Sequence, residues 1–213
     1  MSKLLFPPKC VLCGKILEKG ELDLCGACRT EMADYPLGRV KIPFVEEWAA
    51  LWHYDGNARK SLLRYKFYCR RNYAQNYGRL LAMRIDRQWE QGFDVISWVP
   101  ISRRRKLRRG YDQVELLARA VCRELNVPCV RCLKKIRHNP PQSGIVGQAQ
   151  RRANVLGVYA AVKPEQFRDK RILLLDDIIT TGATVSEAAR VLLTAGAQEV
   201  YCVAVAAAKN DKK

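Results

Sequence analysis

The chain has 213 residues, 48% of them hydrophobic, enough for one sizeable core with a small appendage and too apolar for wholesale disorder. Thirty-eight Lys and Arg against 21 Asp and Glu leave a net charge of +17, which favours anionic partners: nucleic acid, nucleotide, phosphorylated sugar or an acidic membrane surface. No apolar run nears the ~18 residues of a spanning helix, and Pro7-Pro8 interrupts Leu4-Leu5-Phe6 before a signal core can form, so a cytoplasmic location is expected.

Residues 1–36 carry turns and cysteines with little apolar periodicity. Cys10-x-x-Cys13 and Cys25-x-x-Cys28 form two knuckles, 11 residues apart. A CxxC turn lets two thiolates reach one ion, and four thiolates complete a tetrahedral zinc shell. Gly14 and Gly26 are expected at positive φ in these turns. The segment is too short for a core of its own, so metal binding would stabilise it, and four Cys leave no open position for substrate. Disulfides or free thiols are the competing chemistry, but the nine cysteines are odd in number and the spacing suits a reduced compartment.

From 37 to about 92 the pattern is mixed, with a strand near Trp48–His53 and a basic helical stretch from Ala58 to Gln91. An α/β alternation begins at Phe93. Val95–Val99 reads as a strand ended by Pro100, followed by an Arg-rich turn. Gln113–Leu125 reads as a helix, with Val114, Leu117, Ala118 and Val121 at helical spacing, stopped by Asn126-Val127-Pro128. The polar stretch 138–154 suggests a mobile loop. Then come a strand at 172–175, a helix over Ala183–Thr194, a stop at Gly196 and a strand over Val200–Ala206. Nearly continuous apolar strands joined by a helix indicate a parallel sheet covered on both faces.

Ile172-Leu173-Leu174-Leu175 runs straight into Asp176-Asp177 and then Thr180-Thr181-Gly182-Ala183-Thr184. Acids at the carboxyl end of a parallel strand face the crevice where open α/β sheets bind ligands. The turn opens a helix whose N–H groups and dipole suit a phosphate, with Gly182 permitting close approach. A phosphate near a pair of carboxylates describes a ribose 5-phosphate, its 2′- and 3′-hydroxyls on the acids. No GxxxxGKS or GxxxxGKT occurs, which excludes a P-loop, and a phosphoacceptor aspartate would not need the threonine turn.

This stretch resembles the phosphoribosyl pyrophosphate (PRPP) motif of type I phosphoribosyltransferases. With the N-terminal CxxC pairs, Val99-Pro100-Ile101, Arg108-Arg109-Gly110-Tyr111-Asp112-Gln113, Pro141-Gln142 and Arg151…Asn154-Val155, the chain resembles the competence protein ComF family over nearly its whole length. It departs at Asp112, where the family usually shows Asn, and in a spacing from Gln142 to Asn154 about one residue longer. The resemblance implies a zinc ribbon at 1–36 and a parallel-sheet α/β phosphoribosyltransferase unit at 37–213, with a flexible hood near 138–154. It implies PRPP binding by Asp176, Asp177, Thr180, Thr181, Gly182, Ala183 and Thr184, with Mg²⁺ accompanying the PRPP. Lys66, Arg103, Arg104, Arg105, Arg109 and Arg151 are expected toward the pyrophosphate, as guanidinium meets phosphate bidentately.

Six cations at 103–109 exceed the need of one pyrophosphate, so nucleic acid is a second use for them, alongside a solvated loop. Tyr65, Tyr68, Tyr73 and Tyr77 lie among cations; packing on the core outranks base stacking for them. Cys129-x-x-Cys132 lacks a partner knuckle and is expected as thiols partly buried in the fold, and His138 as a bystander. Two functions stay open. One is a transferase in which an amine or base attacks the anomeric carbon of PRPP, with no residue announcing itself as nucleophile. The other is a single-stranded DNA-binding competence factor with a competence helicase as partner, whose PRPP site is regulatory or vestigial.

Overall fold

The computed structural model describes residues 7–31, 35, 40–68, 70–137 and 154–209. Its centre is a four-stranded parallel sheet of β1 (Trp48–His53), β2 (Val95–Trp98), β5 (Arg171–Ile179) and β6 (Glu199–Ala207), in the order β1-β6-β5-β2. A short antiparallel pair, β3 (Leu133–Lys135) and β4 (Tyr159–Ala161), stands apart from it. The helices are α1 (Gly26–Glu31), α2 (Gly56–Phe67), α3 (Tyr73–Gln88), α4 (Arg103–Arg109), α5 (Gln113–Leu125) and α6 (Ala183–Thr194).

The period of two explains the unbroken apolar strands. Leu173 and Leu175 of β5, with Val203 and Val205 of β6, pack toward α2, α3 and α5; Ile172, Leu174, Cys202 and Ala204 point the other way, toward Val185, Ala188 and Leu192 of α6. Both faces are dry, so neither can be polar.

Helix α6 keeps the expected bounds, as does α5, which Asp112 caps by accepting from Val114 N (3.0 Å) and Glu115 N (3.2 Å) and Asn126 ends in the left-handed region. The basic stretch 58–91 differs from expectation: it divides into α2 and α3. One helix of that length would run about 50 Å, past the edge of a small domain. The break lets Tyr65 of α2 meet Tyr77 of α3, ring centroids 5.5 Å apart. Tyr65, Tyr73 and Tyr77 are buried, so core packing holds for them, while Tyr68 is exposed. The Arg-rich turn is also a helix, α4, because Ser102 Oγ accepts from Arg105 N and Gly110 terminates it at φ +76°.

Gly78 lets α3 lie directly on α5. A Cβ there would stand 2.6 Å from Ala120 Cβ and 3.1 Å from the Ala120 carbonyl carbon. Backbone cannot yield as a side chain end can. Gly78→Ala is therefore expected to destabilise by about 1–3 kcal/mol, as overpacked cores do, read as a lower midpoint in urea unfolding.

The cysteine segment does not stand off as a separate body. Val11, Leu12, Leu17 and Leu24 share one buried cluster with Trp52, Leu62 and Tyr77. Asp23 accepts from Asn76 Nδ2 (2.6 Å) and Arg79 Nε (2.9 Å) of α3, and Ser61 and Arg64 of α2 donate to the carbonyls of Val11 and Leu12. Among the described residues no helix is long and apolar enough to cross a membrane.

Candidate functional site

Cys10, Cys13, Cys25 and Cys28 come together with all four sulfurs within 4.8 Å of one another, and Cys13 Sγ lies 3.6 Å from Cys25 Sγ. A Zn–S bond of about 2.3 Å places tetrahedral ligands ~3.8 Å apart, so the donor set and its size fit zinc. Gly14 turns the first knuckle at φ +84°. Gly26 differs from expectation: it opens α1 with ordinary helical backbone, because the second knuckle is completed by the helix turn that carries Cys28. Burial opposes ionisation of Cys10, yet the backbone N–H groups of Cys13, Cys25 and Leu12 outweigh it and bring that thiol down to about 7. Burial first, and then the neighbouring sulfurs, push Cys13 and Cys28 the other way, so a bound metal is what would bring the quartet to thiolate.

The second site lies on β5. The strand does not stop at Leu175 but runs through both acids to Ile179, because β6 pairs with it as far as Ala207. The neighbour on the other side, β2, ends at Trp98 opposite Leu175. Asp176 and Asp177 thus lie beyond the end of β2, in the notch it leaves. They are buried, 8% and 6% exposed. Asp176 Oδ1 accepts from Asp177 N at 2.8 Å. Asp177 Oδ1 lies 2.9 Å from Lys66 Nζ, and its Oδ2 accepts from Gln113 Nε2 at 2.7 Å.

Burial, helped by the negative charge of Asp177, pushes the Asp176 carboxyl up to about 8. One acid of the pair is accordingly protonated at neutral pH, while the other is matched by a lysine. The expectation that both acids stand open to a ligand thus changes in form: each carboxylate oxygen of Asp177 already has a protein partner.

The loop residues fill the notch from one side. Tyr65 O–H donates to Gln113 O at 2.5 Å and Tyr111 O–H to Tyr65 O, which ties α2 to the start of α5 and brings Lys66 and Gln113 to the same carboxylate. The Arg residues of α4 divide. Arg109, half-buried with its guanidinium 4.8 Å from the Phe67 ring, feels the charge of Asp177. Arg105 feels Lys135 and Tyr159 beside Asp176. Arg103 instead lines a cavity on another side with Arg131 and Lys134, and Arg104 is exposed. Arg151, Pro141, Gln142 and nearly all of the expected hood lie outside the described residues.

Thr180, Thr181 and Thr184 are half-buried around the start of α6. Gly182 caps that helix at φ +75°, and a Cβ there would fall 2.8 Å from Ile42 Cγ1. Conformation and close packing both demand glycine. Thr181 Oγ1 accepts from Ala183 N, and Ser186 N donates to Gly182 O at 2.8 Å.

Three participants escaped recognition as site residues. Gln113 stood in a motif, but only folding shows its amide on Asp177. Lys135 is pushed down to about 8 by burial and then by Arg105, with Asp176 opposing, and its ammonium lies 5.5 Å from the Tyr159 ring centroid. Asp112, the departure from the family pattern, has both oxygens on backbone N–H groups, including Ile101 N at 3.1 Å. An Asn amide would set a donor against one of them, so here Asp is the better cap.

A phosphoribosyl transferase domain model matches residues 115–213, and a double zinc ribbon domain model matches residues 1–38. Fold and site together define a phosphoribosyltransferase-like chain with a zinc ribbon. Competence protein F of Haemophilus influenzae is 34% identical over 109 residues, 50% of this chain and 47% of that protein. DNA utilization protein YhgH of Escherichia coli K12 is 27% identical over 225 residues, covering 94% of this chain and 98% of the relative. Competence protein ComFC of Bacillus subtilis is 26% identical over 88% of this chain and 72% of its own. Over most of its length the chain is thus similar to proteins named for competence and DNA utilization. Its match spans about half the length of the Haemophilus relative.

Proposed function

We propose that the notch beyond β2 binds PRPP, the ribose hydroxyls toward Asp176 and Asp177 and the 5-phosphate on the Thr180–Thr184 turn, and that the chain transfers the phosphoribosyl group. The observation that carries this is the buried acid pair set beside a glycine-capped helix start, with Lys66, Arg105 and Arg109 gathered around it. A diol reaches Asp177 by joining or displacing Lys66 and Gln113. Lys66, once displaced, would carry its ammonium to the pyrophosphate.

In the transfer, an acceptor amine or base attacks the anomeric carbon, the bond to pyrophosphate oxygen breaks, and pyrophosphate departs with the electron pair. Mg²⁺ bound with PRPP would neutralise charge on that leaving group. The protein's part is orientation and electrostatic stabilisation. Arg105 and Arg109 stand where negative charge grows; the expected hood, with Arg151, would exclude water from an oxocarbenium-like transition state. Titration calorimetry with PRPP, with and without Mg²⁺, tests this. A wild-type chain that releases no binding heat overturns it.

A cationic trough favours a second function, single-stranded DNA binding, which also suits the relatives' names. Two adjoining cavities of about 860 and 600 Å³ share Arg119 and Cys129. Arg71, Arg119 and Arg123 line the larger and Arg103, Arg131, Lys134 and Lys163 the smaller, and no carboxylate is among the described lining residues. In electrophoretic shifts with an oligonucleotide, log affinity is expected to fall with log salt by about 0.7 per phosphate contacted, a slope near −3 for ~4 contacts. Arg119→Glu with Arg131→Glu should shrink that slope. Binding indifferent to salt would exclude the trough. A cytoplasmic location and a helicase partner belong to this proposal too.

A further inference from the structure

We infer that Cys129 and Cys122, which line the larger cationic cavity together, form a reactive dithiol that reduces small anionic disulfides and closes into an internal disulfide. Cys122 sits buried in the last turns of α5. Asn126, in the left-handed region, reverses the chain after it and Val127 N donates to Cys122 O, while Pro128–Val130 pairs with β2 at Ile96. That reversal brings Cys129 back beside Cys122, and the two side by side line the larger cavity.

The two thiols have unequal surroundings. Cys129 is half-buried and lines both cavities; Cys122 is buried and lines the larger. Interaction with Cys122 first, and then the charge of Arg119, holds Cys129 below the ordinary thiol range against burial and the opposing charge of Glu115, which pairs with Arg119 at 3.0 Å, whereas interaction with Cys129 and burial push Cys122 up. The accessible, more ionised sulfur is suited to attack, and the shielded one to resolve. Arg71, Arg119 and Arg123 around them favour a disulfide bearing carboxylates.

The chemistry balances without a further oxidant. Cys129 gives its proton to solvent, and its thiolate attacks one sulfur of the small disulfide. That S–S bond breaks, and the first thiolate leaves and takes up a proton. Cys122 then loses its proton and attacks Cys129 Sγ in the mixed disulfide, releasing the second thiolate, which is protonated in turn. Two protein thiols are oxidised and one small disulfide is reduced to two thiols.

The zinc-loaded full chain is incubated with glutathione disulfide, then alkylated and mapped by mass spectrometry. The expected product is lighter by two hydrogen atoms, with the Cys122 and Cys129 peptides joined. Cys122→Ser should stop at one glutathione moiety on Cys129, and Cys129→Ser should leave Cys122 unmodified. Arg119→Gln should slow the reaction with glutathione disulfide roughly tenfold, but not that with a neutral disulfide. Since Cys122→Ser could disturb α5, the wild type decides alone. Oxidation confined to the zinc cysteines, a mixed disulfide persisting on Cys129, or thiols that react only after denaturation would each overturn the inference.

Discussion

Stripping the metal from Cys10, Cys13, Cys25 and Cys28 should unfold more than the ribbon. Structural zinc in small domains contributes an apparent ~10–16 kcal/mol, and here the segment it organises is part of the main core. Val11, Leu12 and Leu24 cover Trp52, Leu62 and Tyr77 on the sheet face that carries α2, α3 and α5, and Asp23 neutralises Arg79. Releasing the knuckles bares that face and leaves Arg79 without its carboxylate. Even a net loss of about 5 kcal/mol would lower Tm by roughly 10–20 °C in a chain of this size. Native mass spectrometry should show one zinc per chain, and calorimetry after chelation, or of Cys25→Ser, should show the fall in Tm. A metal-free wild type that melts at the same temperature would end the zinc assignment.

Asp176→Asn should abolish PRPP binding and yet stabilise the protein in alkaline solution. Burial and Asp177 raise the folded-state carboxyl to about 8, against about 3.9 in an unfolded chain. Above pH ~4 the unfolded state has lost the proton that the native state keeps. The stability Asp176 contributes is therefore fully present below that pH and is lost as pH rises through about 8. Asparagine has nothing to titrate, so the variant's Tm should gain on the wild type from pH 5 to 8.5. Asp177→Asn should behave oppositely, costing about 3 kcal/mol by leaving Lys66 unpaired in a mostly buried site. Thermal melts across that range, beside PRPP calorimetry, separate the two effects. A difference between variant and wild type that stayed flat with pH would refute the protonated acid. Retained PRPP affinity would refute the site itself. Loss of function with gain of stability is the mark of a residue kept for its ligand.

Local order in the residues made much of this legible. The Cys spacing fixed a metal quartet, since CxxC geometry depends on neighbours in the chain. Helices α5 and α6 were readable because apolar residues recur at helical spacing in α5 and because Asn126 and Gly196 stop the two chains of turns locally. The acids and threonine turn were readable because strand, carboxylates and helix start follow one another without interruption. Tertiary structure decided the rest. Strand β5 continues through its acids because β6 runs beside it that far, a pairing no periodicity in β5 could report. The 58–91 stretch breaks because its two halves must meet through Tyr65 and Tyr77. Lys66 and Gln113 converge on Asp177 across long separations in the chain, and Arg105 parts from Arg103 by the turn of α4. Charge count alone cannot tell a cation that faces a buried acid from one that faces water. That distinction belongs to burial, and burial exists only once distant segments have packed.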